Sequence, residues 1–325
     1  MSSASQILAS LRATPDGVSG ADLCSQLGIS RAAVWSHIEA LRANGFEIVA
    51  SPHRGYQLMS EPDVLLAEDI LSRLNPGNPI GSQVIVLQET TSTNDEVARA
   101  AQAGQEEGLA CFAESQTKGR GRLGRSWSSP QGKGLWFSVL LRPSLAPADC
   151  TRLTVATAVA LVRAIERVAG IKPSIKWPND LLIDGKKIAG ILTEMSAELD
   201  HVHHVVIGVG VDVNQTASDF NGPLKSIATS LKIAAGRQVP RAELAAAILN
   251  ELSDVYQKIQ TGEFPAVSME WAKNCATLGQ QVQIDAGARQ LSGRAEALDE
   301  TGALLLRTDH GRLERVVGGD VTIVP

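Results

Sequence analysis

Seven residues, Gly119-Arg120-Gly121-Arg122-Leu123-Gly124-Arg125, put three glycines and three arginines into one short stretch. Glycines let backbone N–H groups approach an anion closely, and a guanidinium forks onto phosphate oxygens with charge-assisted bonds of roughly 1.5–3 kcal/mol each. Such a stretch is suited to gripping a phosphorylated ligand; the plain alternative is a basic surface loop that holds nothing. The spacing Gly119-x-Gly121-x-x-Gly124 also matches a dinucleotide fingerprint, but that motif must open a helix. Here Ser126-Trp127-Ser128-Ser129-Pro130-Gln131-Gly132-Lys133-Gly134 continues as loop, which disfavours it, and no GxxxxGK[ST] string occurs.

Four other segments carry groups for a polar small molecule and a nucleotide. Thr90-Thr91-Ser92-Thr93-Asn94 closes a strand and opens a helix, so its hydroxyls and amide either cap that helix or bind a ligand. Glu114-Ser115-Gln116 ends the strand feeding the Gly/Arg loop, which puts Gln116 at its mouth. Lys176-Trp177-Pro178-Asn179-Asp180 brings a cation, an aromatic ring and two polar groups to a proline bend. Lys187-Ile188-Ala189-Gly190-Ile191-Leu192 sets a second lysine before an apolar strand whose glycine lets a ligand reach the backbone. His201, His203 and His204 are expected in a polar turn between two strands; without a cysteine or a spaced third ligand they predict no metal site.

The elements that must position these groups fall into three blocks. Ile7, Leu8 and Leu11 mark one helical face, Ser19 with Asp22 starts a second helix, and Gly28 makes a tight turn. Ser30 caps a third helix in which Val34, Ile38 and Leu41 face inward, leaving Arg31, Ala32, Trp35, Ser36 and His37 to point out. The alternating runs 46–49 and 56–58 make a two-stranded wing, and the whole reads as a winged helix-turn-helix over residues 1–62. Its DNA-binding region is Gly20 to Glu39, above all Ser30, Arg31, Ala32, Trp35 and Ser36. Four arginines against four carboxylates leave residues 1–60 neutral, so phosphate neutralisation is weak.

A proline-bearing connector, 61–79, leads into a block over 63–270 with strand-like runs 83–88, 109–114, 135–141, 172–176, 181–183, 188–194 and 204–213. Helical runs lie near 94–103, 151–169 and 241–261, and the Asp184-Gly185-Lys186 turn predicts a mixed or largely antiparallel sheet with helices laid on it. Short strands and repeated glycines over 271–325 predict a small β-barrel. The run 204–213 reads as an exposed edge strand and so as a dimer interface.

Composition sets outer bounds. With 44% hydrophobic and 20% charged residues, the 325-residue chain reads as globular; a net charge of −5 confines any nucleic-acid contact to a local patch. Cys24, Cys111, Cys150 and Cys275 form no CxxC pair, which suits reduced thiols in a cytoplasm. The start Met1-Ser2-Ser3-Ala4-Ser5 lacks a signal-peptide pattern, and no apolar run reaches about 18 residues, so neither export by that route nor a membrane span is expected.

The motifs TSTN, GRGRxGR, KWPND and KxAGIL, in this order, resemble the biotin–protein ligases over nearly the whole chain, in the bifunctional bacterial form that also represses biotin synthesis genes. The resemblance implies an α+β protein: the winged helix-turn-helix, a mixed-sheet ligase domain related to class II aminoacyl-tRNA synthetases, and an SH3-like barrel. It implies that Ser92, Thr93, Asn94, Gln116, Arg120, Gly121, Arg122 and Lys176 bind biotin, with Lys176, Arg120 and Arg122 catalytic. Arg125, Trp127, Lys187 and Asn214 would contact the adenylate. It further implies ATP with Mg²⁺, a biotin carboxyl carrier protein as acceptor, operator DNA and a homodimer. Two positions depart from the family: Ser36 stands where lysine is frequent, and Asp212 where asparagine is usual.

Overall fold

The computed structural model describes residues 2–287 and 289–324; Met1, Ala288 and Pro325, which fall in the expected terminal domains, lie outside the described residues. Helix α1 (Ser3–Ala13) is followed by α2 (Gly20–Leu27), where the Ser19 hydroxyl accepts from Asp22 N at 3.0 Å and Gly28 ends the helix at φ 65°. Ser30 caps α3 (Arg31–Ala43) by accepting from Ala33 N at 3.2 Å. Val34, Ile38 and Leu41 bury against Ile7, Leu8, Leu11 and Leu23, and the wing β1 (Glu47–Ser51) and β2 (Gly55–Ser60) closes this separate core with Ile48. Arg31, Ala32, Trp35 and Ser36 are exposed, as the 3.6-residue period requires.

The connector is more ordered than its prolines suggest. It contains α4 (Ala67–Ser72), whose buried Asp69 pairs with Arg12 of α1 and, at 2.9 Å, with Arg73. There follow β3 (Gln83–Thr90), α5 (Thr93–Gln102), β4 (Leu109–Gln116), β5 (Gly134–Leu141), α6 (Thr151–Ala169), β6 (Ser174–Lys176), β7 (Asp180–Ile183), β8 (Lys186–Glu198) and β9 (His201–Asp212). The seven strands lie in the order β3-β4-β5-β9-β8-β7-β6, all antiparallel except the β3–β4 pair. The turn from β7 to β8 is made by Asp184 at φ 49° and Gly185 at φ 76°, which matches the right-handed twist of a tight hairpin.

Two expectations are corrected here. Strand β9 is not an edge: it lies between β5 and β8, and its near-continuous burial is that of a central strand. His201, His203 and His204 are not in a turn but open β9 itself, the reversal falling on Leu199 and Asp200. Among the described residues no group of three or more His, Cys, Asp or Glu is placed to hold a metal ion.

After β9 come α7 (Leu224–Ile227), α8 (Leu231–Ala235), α9 (Arg241–Gln260) and α10 (Phe264–Asn274). Period-2 alternation then divides the sheet between two layers. Val205, Ile207, Val209 and Val211 of β9 share one core with Leu161 of α6 and Ile248 of α9, while Val206 packs with Val97 and Ala101 of α5. Gly208, Gly210 and Asp212 therefore share the α5 side with Val206, where the site lies. The chain ends in β10 (Gln281–Asp285), β11 (Gln290–Leu298), β12 (Leu304–Thr308), β13 (Leu313–Val316) and β14 (Asp320–Ile323). They form a small antiparallel sheet, ordered β13-β12-β11-β10-β14, whose core runs into that of the larger sheet. No described helix is long and apolar enough to cross a membrane.

Candidate active site

Three glycines make the floor. A Cβ on Gly208 would stand 2.2 Å from Asn94 Oδ1, and one on Gly210 2.5 Å from Trp127 Cε2; on Gly190 it would meet Trp127 at 2.9 Å. Only hydrogen at these positions lets Asn94 and the indole lie flat on β8 and β9. Asn94 is then fixed from both sides: its Oδ1 accepts from Ser138 Oγ at 2.6 Å, and its Nδ2 donates to Glu194 Oε2 at 2.7 Å. Ser138 Oγ is also 2.7 Å from Thr93 Oγ1.

The first turn of α5 is not capped by the side chain at its own cap position. Ser92 occupies the cap position without a side-chain cap bond; Gln116 Oε1 accepts from Thr93 N at 2.9 Å instead. The strand-end amide thus takes the capping role, and the Ser92 hydroxyl stays available on the cavity wall. Gln116 is itself held by donating to Ser129 Oγ at 2.9 Å.

The Gly/Arg segment returns on itself as a loop. Gly121 N donates to Arg125 O at 2.7 Å and Trp127 N to Gly119 O at 2.8 Å, with Leu123 at φ 56° and Gly124 at φ 72° forming the tip. No helix follows, so the dinucleotide reading has no structural counterpart. Arg120 donates to Asp95 Oδ1 at 2.7 Å and lies 3.3 Å from Glu194, and these carboxylates raise its pKa further. Arg122 is half-buried and donates to Asn179 Oδ1 at 3.1 Å; burial lowers its pKa, with Asp320 and Asp180 opposing. Arg125 forks onto Asp320 at the start of β14. The C-terminal sheet thereby enters the site, since Gly319, Asp320, Val321 and Thr322 line the same cavity. Asp320 is a residue that sequence reasoning missed; the Gly318-Gly319-Asp320 turn was its one visible sign.

This cavity, about 570 Å³, brings together Ser92, Thr93, Asn94, Gln116, Arg120, Gly121, Arg122, Arg125, Trp127, Lys176 and Lys187. Lys187 Nζ is 2.6 Å from Asp180 Oδ1 and 5.1 Å from the centre of the Trp127 ring, a cation over an aromatic face. Lys176 stands on the wall in no ion pair among the described residues. Trp177 is 1% exposed and mainly a core residue, its N donating to Thr277 Oγ1 at 3.0 Å. Asn214, expected at the adenylate, is outside the lining. Its amide bonds Asp63 Oδ2 and the Val239 backbone.

A cavity lined by three arginines and two lysines, in a chain that also folds a helix-turn-helix, has the groups expected of a nucleotide-using ligase with a DNA-binding domain. Family models agree: an HTH domain matches residues 4–57, the Biotin/lipoate A/B protein ligase family 85–212, and the Biotin protein ligase C terminal domain 277–324. The bifunctional ligase/repressor BirA of Bacillus subtilis is 39% identical over 306 residues, 94% of each chain, and that of Escherichia coli 32% over 318 residues, 97% of this chain and 96% of the other. The biotin protein ligase of Aquifex aeolicus, solved in complex with biotin and ATP, matches with a TM-score of 0.64 at 29% identity, covering 75% of this chain and 99% of that one. The chain belongs to the biotin–protein ligases, and among them to the bifunctional ligase/repressors.

Proposed function

We propose that the protein joins biotin to ATP to form biotinyl-5′-AMP, transfers the biotinyl group to a lysine of a biotin carboxyl carrier protein, and represses biotin genes with the adenylate as corepressor. The observation that carries this reading is the convergence of Ser92, Asn94 and Gln116 with Arg120, Arg122 and Lys176 on one cavity. The hydroxyl and amide groups suit the ureido head of biotin. The cations suit a carboxylate and a phosphate that must be brought together although both are anionic.

In the first step a biotin carboxylate oxygen attacks the α-phosphorus and pyrophosphate leaves. Arg120, Arg122 and Lys176 would neutralise and align the two anions, a role worth several kcal/mol in a site that excludes water. In the second step the acceptor amine attacks the anhydride carbonyl and AMP departs. The loop 119–125, already fastened to β14 through Arg125 and Asp320, would keep water from the anhydride until then. Mg²⁺ is expected to come with ATP, where it would offset the charge of the phosphates.

A homodimer on DNA is part of this reading. Strand β7 pairs with β8 only over Lys186–Gly190, whereas β9 pairs with it as far as Glu198, so among the described residues no strand pairs with the outer side of 192–198, where a second copy would extend the sheet. Biotin-dependent exchange of labelled pyrophosphate into ATP is the test, with Lys176→Ala expected to lower the rate at least about 100-fold in a folded protein. No exchange with Mg²⁺ present, or exchange with lipoate in place of biotin, would overturn the assignment; an unchanged Lys176→Ala rate would remove that residue's role.

A further inference from the structure

Arg241, the first residue of α9, is 1% exposed, and a guanidinium at that depth must have its donors satisfied. Its Nη1 donates to Glu114 Oε2 at 2.6 Å and to Gly134 O at 3.3 Å, its Nη2 to the Asp63 carbonyl at 2.7 Å, and its Nε to Asp63 Oδ1 at 3.3 Å. Glu114 Oε1 also accepts from Leu65 N at 2.9 Å. Asp63 Oδ2 accepts from Asn214 Nδ2 and Gln238 Nε2, each at 2.9 Å.

The partners come from two places, which also touch directly through Leu65 N on Glu114 and Asn214 on Asp63. Asp63 and Leu65 belong to the connector leaving the wing. Glu114, Gly134 and Asn214 belong to the roots of the 117–133 loop: the Glu114 carbonyl accepts from Gly132 N at 3.3 Å, and Lys133 O accepts from Asn214 N at 2.6 Å. On its far side the connector is tied to the helix-turn-helix, Arg12 of α1 donating to Glu61 Oε1 at 2.8 Å. Burial would raise the Glu61 carboxyl, but Arg12 and Arg73 outweigh it and hold its pKa below the ordinary value. The start of the connector is thus held from two sides by buried or half-buried ion pairs, Glu61 on the helix-turn-helix and Asp63 on the loop roots.

We propose that Arg241 and Asp63 form the joint through which ordering of the 117–133 loop around the adenylate is passed to the connector and so to the DNA-binding domain. The inference rests on the ligase reading. Neither residue lines the cavity, so both act by positioning. Linkage makes the effect reciprocal: whatever the adenylate does to the connector, a constraint on the connector does to adenylate affinity.

Amide hydrogen exchange on the full-length chain, with and without biotin, ATP and Mg²⁺, reads the joint directly. In the parent protein the ligands should slow exchange in 117–133 and, by about tenfold, in 61–70. Asp63→Ala removes the side-chain links to Arg241, Asn214 and Gln238 but spares the Arg241–Glu114 pair. It should keep loop protection, keep pyrophosphate exchange within about threefold, and reduce the connector response below about twofold. A connector that responds in Asp63→Ala as in the parent, or that ignores ligand in the parent while the loop is protected, overturns the joint. Absence of both loop protection and pyrophosphate exchange in the parent would instead sink the ligase reading, and the joint with it. Should Asp63→Ala not fold, Asp63→Asn, which sets an amide donor against the arginine, is read by the same outcomes.

Discussion

A buried carboxyl is tolerable when it is paired or neutral, and Asp212 has little pairing. It is 7% exposed, on the site side of β9 with Gly208 and Gly210, and accepts from Gln215 Nε2. Burial pushes its pKa up to about 8, and Lys187 and Gln215 pull it only partly back. Because this folded value lies above the unfolded value of 3.8, folding takes up a proton. The associated stability is fully present below the unfolded pKa and is lost as pH rises through the folded one. Asparagine, the usual residue of the family here, fills the same shape without ionising. Asp212→Asn should therefore stabilise the protein, and the gain should grow by on the order of 4 kcal/mol between about pH 5 and about pH 8.5. Urea unfolding at the two pH values measures it; a gain that does not vary with pH would show that the carboxylate ionises in its ordinary range.

At the scale of elements, the strands act by what they omit. Gly208 lies beneath Asn94, and any side chain there must push the amide off Ser138 and Glu194. Misplacement of about 1 Å in a positioned group costs up to about 100-fold, so Gly208→Ala should lower kcat/KM for biotin by roughly 10- to 100-fold while thermal unfolding shows the sheet intact. Unaltered kinetics would mean that Asn94 does not orient the substrate. Much of this was legible beforehand: Ser19, Ser30 and Gly28 announced the helix ends, and the apolar period of Val34, Ile38 and Leu41 announced α3. The order of strands was not, because periodicity reports which face is buried and not which strand is the neighbour. Yet Val205 to Val209, apolar at nearly every position, carried the mark of a strand covered on both faces, and so of a central one. Helix α4 escaped because it is only six residues long, and two of its contacts, Asp69 with Arg12 and Ile70 with the main core, are long-range. The placement of Asn214 outside the cavity lining was not legible for a related reason: its partners Asp63 and Val239 lie far off in sequence.

For the whole molecule, a net charge of −5 opposes a polyanion, and the DNA-binding domain must overcome that with few cations. Its four arginines are reduced further by the fold: Arg12 is committed to Glu61 and Asp69, and Arg42 to Glu39 and the Ile48 carbonyl. Arg31 on α3 and Arg54 at the wing are exposed and outside any ion pair among the described residues. The most exposed large apolar side chain of α3 is Trp35, 58% exposed on its outer face. Each neutralised phosphate steepens the dependence of log K on log salt by about 0.9, so two arginines give a slope of about −2 per protomer and about −4 for a two-fold dimer. Fluorescence anisotropy with operator duplex between about 50 and 200 mM salt reads this slope, and a dimer value beyond about −6 would place a second basic surface on the DNA. Trp35→Ala separates the two sources of affinity. An apolar contact releases no counterions, so this variant should bind at least about tenfold more weakly with the same slope, whereas Arg31→Ala should flatten it by about one unit per protomer and so by about two for the dimer.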